Sequence, residues 1–421
     1  MLRIVIAILG LIVWPSLASA RAPVTTTDLF ERVKPAVIQV RILNVQTNQQ
    51  SSLGSGFFVS ELGLAVTNFH VIADVVHHPE RYRAEYLGES GASGALRVLN
   101  VDVPNDVAIV QADTLPTKVL HFDDGELRKG AALFSVGNPR DLGLTIVEGS
   151  FSGLLQGSFY DRIHYTGSLN PGMSGGPTIN ENGLVIGVNV ATAGNQIGFL
   201  VAGHVARALL ERSLALVGQP VQNFTNLVRE QLYQDQSEKF ERLLADGFKS
   251  TPLGPFVVPS SSVPFLRCWG DESSRAAEHY AVQTEDCTVD DSTYIAADHQ
   301  STPIAFRHDY IDGKKLNRWA FSSLLETYFA ATEVPRDRPG EHVTEFQCET
   351  RFVESNNLSF KVAICLRAFK EYDGLYDFVF KGVTLNNNSQ AVHTELFLGG
   401  VSIENAERVM QRYLEAIKWA R

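Results

Sequence analysis

The spacing of apolar positions changes twice along the chain. Residues 27–33 suit a short helix that Pro35 ends, because proline has no N–H to continue the ladder. From Ala36 to about Val201 the apolar residues fall into short β-prone runs, at 36–40, 56–59, 107–110, 132–136, 184–188 and 197–201, with Gly, Asn, Asp and Pro between them. Many short strands at close spacing predict an all-β barrel or sandwich and disfavour a parallel α/β enzyme. Helical periodicity then takes over at 205–216 and again at 224–245, where Phe224, Leu227, Val228, Phe240, Leu243 and Leu244 recur at spacings of three and four, with Gly247 as a stop. The polar middle of the second helix, Gln234-Asp235-Gln236-Ser237-Glu238, reads as the surface of a solvated connector. Residues 251–264 hold Pro252, Pro255, Pro259 and Pro264 with Ser260, Ser261 and Ser262, which suits an extended linker. Beyond it the pattern is α+β, with strands near 344–352, 359–368, 375–384 and 392–398. Two amphipathic helices accompany them. One carries Leu316 to Tyr328, the other Ala406 to Ile417 behind Ser402 as a cap.

At 421 residues the chain exceeds the size at which one core keeps growing, so two domains are expected. Hydrophobic residues at 44% and charged residues at 20% supply packed cores rather than disorder. A net charge of −11 argues against a nucleic-acid or anionic-membrane partner, which clustered Lys and Arg would mark. The N-terminus reads as a secretory signal peptide: Arg3, an apolar run from Ile4 to Trp14, Pro15, then Ala18-Ser19-Ala20 with cleavage after Ala20. An uncleaved anchor is the competing reading, but the run falls short of the roughly 20 residues a spanning helix needs. No stable membrane span is expected after cleavage, and the destination is periplasmic or extracellular. All four cysteines, Cys268, Cys287, Cys348 and Cys365, lie in the C-terminal half. In an exported chain they read as disulfides, paired locally as Cys268–Cys287 and Cys348–Cys365, because paired C-x-x-C zinc spacings are absent. These boundaries give a signal peptide at 1–20, a β-rich domain at 21–215, a helical connector and Pro/Ser-rich linker at 216–264, and a disulfide-containing α+β domain at 265–421.

The segment Asn170-Pro171-Gly172-Met173-Ser174-Gly175-Gly176-Pro177 carries the strongest chemical signal. Glycines on both sides of a serine let backbone amides approach a substrate carbonyl. The same letters satisfy the G-x-S-x-G nucleophile elbow, but Gly176-Pro177 followed by Asn180-Glu181-Asn182-Gly183 does not start the helix an elbow requires. A serine nucleophile needs a base, and His70 stands at a strand end in Thr67-Asn68-Phe69-His70-Val71. Asp106, in Asn105-Asp106-Val107-Ala108-Ile109, stands at the mouth of an apolar strand where its carboxylate can orient an imidazole. Asp102 competes for that role without directly preceding the strand. His121, His164 and the pair His77-His78 read as surface or loop residues, and Asp123-Asp124 before Gly125 as turn chemistry.

Six pieces in order, Pro35-Ala36-Val37, Gly54-Ser55-Gly56-Phe57, Thr67-Asn68-Phe69-His70, Asp106-Val107-Ala108, Val136-Gly137-Asn138-Pro139 and Gly172 to Pro177, make residues 27 to about 212 resemble the trypsin-like protease domain of the HtrA/Deg family. The resemblance implies a mainly β fold, a chymotrypsin-like double six-stranded β-barrel, followed here by a smaller α+β domain. It implies a serine endopeptidase acting on polypeptide substrates in extracytoplasmic quality control or regulated proteolysis, with no cofactor and no metal. His70, Asp106 and Ser174 would be catalytic, the amides of Gly172 and Ser174 the oxyanion hole, and Leu169, Ala191 and Thr192 the primary pocket. Met173 departs from the family, which usually has Asn there. Relatives usually continue into a PDZ domain, and 216–421 shows no carboxylate-binding glycine loop. A homo-oligomer stays open. The alternative is a catalytically silent protease-fold binding or scaffolding protein.

Overall fold

The computed structural model describes residues 25–420 apart from 193, 195, 220–222, 276–278, 290, 298 and 331–341. The signal peptide read at residues 1–20 lies outside them. Helix α1 (Thr26–Val33), capped by the Thr25 hydroxyl accepting from Asp28 N, leads into the first barrel. Its strands are β1 (Val37–Asn44), β2 (Gln50–Phe58), β3 (Leu64–Thr67), β4 (Tyr82–Gly88), β5 (Ser93–Asp102) and β6 (Val107–Ala112), with α2 (Phe69–His77) between β3 and β4. The second barrel comprises β7 (Ala132–Gly137), β8 (Thr145–Leu154), β9 (Arg162–Tyr165), β10 (Pro177–Ile179), β11 (Val185–Thr192) and β12 (Gly198–Ala202). Both are closed, in the orders 1-2-3-6-5-4 and 10-11-12-9-8-7, as the double six-stranded barrel expectation required.

Continuous apolar runs arise because these strands are covered on both faces. In β6, Ala108 and Val110 enter one core cluster with β1 and α2. Val107 and Ile109, pointing the other way, enter a second cluster with α1, the second barrel and α3 (Gly203–Ser213).

After α4 (Phe224–Asp246), which stops at Gly247 with a φ of 66°, come β13 (Lys249–Leu253) and β14 (Phe256–Ser260). The segment expected to be an extended linker is therefore partly a hairpin, paired from Lys249↔Ser260 to Leu253↔Phe256 and closed on its other side by β24 (Lys418–Trp419). Proline is tolerated because Pro252 is on an edge strand and Pro259 lies beyond the two residues that pair with β24. The remaining strands are β15 (Leu266–Arg275), β16 (Tyr280–Val289), β17 (Thr293–Tyr294), β18 (Gln300–Ser301), β19 (Ile304–Asp312), β20 (Gln347–Ser355), β21 (Leu358–Ala368), β22 (Tyr376–Thr384) and β23 (Gln390–Val401). Seven of them form an antiparallel sheet in the order 15-16-19-23-22-21-20, with α5 (Arg318–Ala330) and α6 (Ile403–Glu415, capped by Ser402) against it. The disulfides Cys268–Cys287 and Cys348–Cys365 staple paired strands of this sheet.

Helix α4 also departs in part from expectation: Gln234 and Glu238 of its polar middle are exposed, but the opposite face is not solvated. Phe224, Val228 and Leu232 pack into the first barrel's cluster, while Phe240 and Leu243 pack into that of the C-terminal sheet. Between them Gln236 and Lys239 are buried. Gln236 accepts from Asn405 Nδ2 at 2.9 Å, and the Lys239 ammonium meets Asp235 and the Tyr160 hydroxyl, each at 2.6 Å. Burial holds the Lys239 pKa below its ordinary value, with Asp235 opposing that shift.

Candidate active site

Asp106 stands in a left-handed backbone conformation (φ 58°), which Asp tolerates better than most residues. This turn aims one carboxylate at the start of α2. Oδ1 accepts from His70 N at 2.9 Å and Oδ2 meets His70 Nδ1 at 2.7 Å. The same group therefore satisfies an otherwise free helix N–H and orients the imidazole. Because a carboxylate only accepts, Nδ1 carries the hydrogen, and in the neutral imidazole Nε2 is then the acceptor. Asn68 Nδ2 donates to the Asp106 carbonyl at 2.6 Å, and Arg162 of the second barrel donates to the preceding Asn105 carbonyl at 3.0 Å. Asp102 is engaged elsewhere: it accepts from Asn105 N and Nδ2, and burial raises its pKa.

Ser174 lies in the tight loop before β10, clamped against the first barrel. Ser55 N donates to the Ser174 carbonyl at 2.7 Å, and Ser55 Oγ donates to the Gly172 carbonyl at 2.7 Å while accepting from Asn138 N at 2.9 Å. Two glycines permit this approach. At Gly172 (φ 94°) a Cβ would strike the Asn138 carbonyl oxygen, and at Gly175 (φ 84°) it would strike the Ser55 carbonyl and the Thr67 hydroxyl.

The carbonyls around the serine are pinned. Pro171 O accepts from Arg140 N at 2.9 Å, and Met173 O accepts from Gly176 N at 3.0 Å and Asn189 Nδ2 at 3.1 Å. In a trans peptide the N–H points opposite to its carbonyl, so the amides of Gly172 and Ser174 are both aimed away from these anchors. Asn189, fully buried, uses its remaining groups on Ser135 Oγ, Thr178 Oγ1 and the Val136 carbonyl. Met173 has no exposed surface and packs with Leu133, Ile163 and Tyr165, which accounts for an apolar residue before the serine.

Asp106 and Ser174 line one cleft of about 790 Å³. Leu169, expected in the primary pocket, lines this cleft together with Val190 and Phe199, which the sequence did not single out. Ala191 and Thr192 belong to β11, but their side chains lie outside the described residues. Residues of the C-terminal half, Arg267, Asp291, Ser292, Tyr294 and Gln300, line the same cleft. No local pattern pointed to them, since they fall in irregular chain or on a strand edge. His77 corrects a further expectation: it lies on α2 against the C-terminal half, contacting Ile295 O at 2.9 Å and the Tyr372 hydroxyl at 3.3 Å, and burial lowers its pKa. His121 is exposed, His164 lies half-buried on β9, and Asp123 accepts from Gly125 N in a turn.

Residues 54–188 match the family model of the trypsin-like peptidase domain. The chain is 31% identical over 201 residues to serine protease HTRA1A of Danio rerio, covering 44% of this chain and 40% of that protein. It is 30% identical over 254 residues to a Marinomonas protein named "Probable periplasmic serine endoprotease DegP-like", covering 52% of each. Against serine protease HTRA3 of Homo sapiens the identity is 30%, covering 44% of each. The chain thus spans about half or less of the length of these relatives. The crystal structure of the serine endoprotease from Yersinia pestis aligns at 25% identity with a TM-score of 0.40, covering 46% of this chain and 68% of that one.

Proposed function

We propose that this chain, whose N-terminal half holds an HtrA-like trypsin-like serine protease domain, is a serine endopeptidase that cleaves polypeptides through an acyl-enzyme. The observation that carries the reading is the 2.7 Å bond between His70 Nδ1 and Asp106, in a cleft that also exposes Ser174 between two pinned peptides. Ser174 Oγ attacks the scissile carbonyl carbon as its proton passes to His70 Nε2. Asp106 stabilises the imidazolium that forms. The amides of Gly172 and Ser174 donate to the tetrahedral oxyanion. On collapse the C–N bond breaks and His70 returns the proton to the leaving amine. Water, deprotonated by the same histidine, then releases the acid and restores the serine.

An exported setting is supported by the leader-like N-terminus, by two disulfides, which persist in oxidising compartments, and by relatives named as periplasmic. Among the described residues no helix is long and apolar enough to cross a membrane. The test is labelling with a fluorophosphonate probe beside peptide hydrolysis. The wild type takes the label, whereas Ser174→Ala and His70→Ala lose turnover by about 10⁴-fold or more, with Ser174→Ala unfolding at the wild-type temperature. An unlabelled, inactive wild type overturns this reading in favour of a silent scaffold.

A further inference from the structure

The face of the His70 imidazole is occupied by a residue from the far half of the chain. Tyr294 of β17 stacks on it with ring centroids 4.5 Å apart and planes 27° from parallel. The strap that carries it, residues 291–295, is fastened on both sides of the tyrosine and to both barrels. On the second-barrel side the buried Asp291 carboxylate accepts from Ser158 Oγ at 2.9 Å and Phe159 N at 2.6 Å, and Thr293 Oγ1 lies 3.2 Å from the Tyr160 hydroxyl. Tyr160 is itself held by Asp235 and Lys239 of α4. On the first-barrel side Ile295 O accepts from His77 Nε2 at 2.9 Å, and the Ile295 side chain is buried in the cluster containing Val71, Ile72 and Val76. Pairing of Tyr294 with Gln300 further supports the strap.

A cover that lifts must break its anchors at each opening, and here these include a buried carboxylate with two donors and a buried isoleucine. Both are costly to expose. The ring is therefore a standing part of the cleft, which Ser292, Gln300, Leu169, Val190 and Phe199 also line. We propose that Tyr294 is a specificity-determining residue: it fills the space beside the His70 ring, so that the substrate residue lying against the histidine must have a small side chain. Glycine, alanine and serine fit there, while leucine or phenylalanine would have to displace the ring. A close-packed wall of this kind discriminates by about ten- to a hundredfold in kcat/KM.

This proposal rests on the protease reading, and the experiment separates the two. The full chain and its Tyr294→Ala, Tyr294→Leu and Tyr294→Phe variants are profiled on fluorogenic peptides randomised at one position at a time on both sides of the cleaved bond, with fluorophosphonate labelling in parallel. The wild type and Tyr294→Phe show a small-residue preference at one position. In Tyr294→Ala that preference collapses at that position alone, and Tyr294→Leu, which keeps apolar bulk, falls between. An unchanged profile in labelled protein overturns the proposal alone. So does a uniform rise in kcat/KM across the library, which would mark a displaceable cover, or a uniform fall, which would mark a mere support for His70. An unlabelled wild type overturns the protease reading and this proposal with it.

Discussion

Removing the Ser55 hydroxyl tests whether the clamp on the nucleophile loop supports catalysis. The side chain is fully buried, and in Ser55→Ala the Gly172 carbonyl loses its donor while Asn138 N loses its acceptor. Stranding a buried polar group costs about 1–3 kcal/mol, so with two stranded the variant is expected to lose about 2–6 kcal/mol of stability. The backbone bond from Ser55 N to the Ser174 carbonyl survives, which confines the damage to the peptides flanking Gly172. The Arg140 anchor on Pro171 also remains, so the Gly172 amide is loosened rather than lost. Complete loss of one oxyanion donor costs about 10²–10³ in kcat, and the expected fall is smaller, on the order of ten- to a hundredfold. KM should stay near wild type because Ser55 does not line the cleft. Steady-state peptide hydrolysis and urea unfolding measure the two effects on one preparation. A destabilised Ser55→Ala with wild-type kcat would refute the argument, since the loop would then hold its geometry without this clamp.

Three further outcomes are expected. The fully buried His308, whose Nε2 donates to the Pro259 carbonyl, has its pKa pushed down to about 3 by burial. Its folded pKa lies below the unfolded value, so this contribution is fully present above pH ~6.5 and is lost as pH falls towards 3. At pH 4 the loss is about 3 kcal/mol, and a urea midpoint with the same pH slope in wild type and His308→Gln would contradict it. Reducing the disulfides, which join residues 19 and 17 apart in sequence, removes about 3 kcal/mol each. A lower unfolding temperature in reductant is expected, with short-peptide hydrolysis kept below it. Leu169, Val190 and Phe199 line the cleft and the Asp291 carboxylate is taken up by Ser158 and Phe159, so cleavage after Val or Ala is expected. Product mapping by mass spectrometry that finds mainly Arg or Lys before the cut would exclude this pocket.

The sequence was most informative where function depends on short stretches of chain. Glycines flanking Ser174, a histidine after β3 and an aspartate at the mouth of β6 are legible because backbone geometry admits few residues there. Apolar runs with turn residues between them made an all-β barrel or sandwich legible, and the choice of a double barrel came from the six family-like pieces in order. What escaped notice depends on long-range pairing. Ser55 and Gly172 are 117 residues apart, and Tyr294 sits in a two-residue strand too short to show periodicity. The burial of Gln236 and Lys239 was hidden because a polar residue satisfied by distant partners looks like one facing water. Proline hid the β13–β14 hairpin in the same way, since a missing N–H matters only on the side where a neighbour needs it.

The cluster that fills the first barrel's flank draws Phe224, Val228, Leu232, Ile295, Phe369, Tyr372 and Leu375 from beyond residue 215. At about 1.5–3 kcal/mol for each large side chain, their burial is worth on the order of 10 kcal/mol, comparable with the whole stability of an ordinary domain. The N-terminal half is consequently not a cassette. Cut free at residue 215, it would expose an apolar scar next to α2, the helix that carries His70. Exchange of its C-terminal partner for an unrelated module would leave the same wound. A domain joined only by a linker could be exchanged without loss, but here these seven side chains would leave their packing behind.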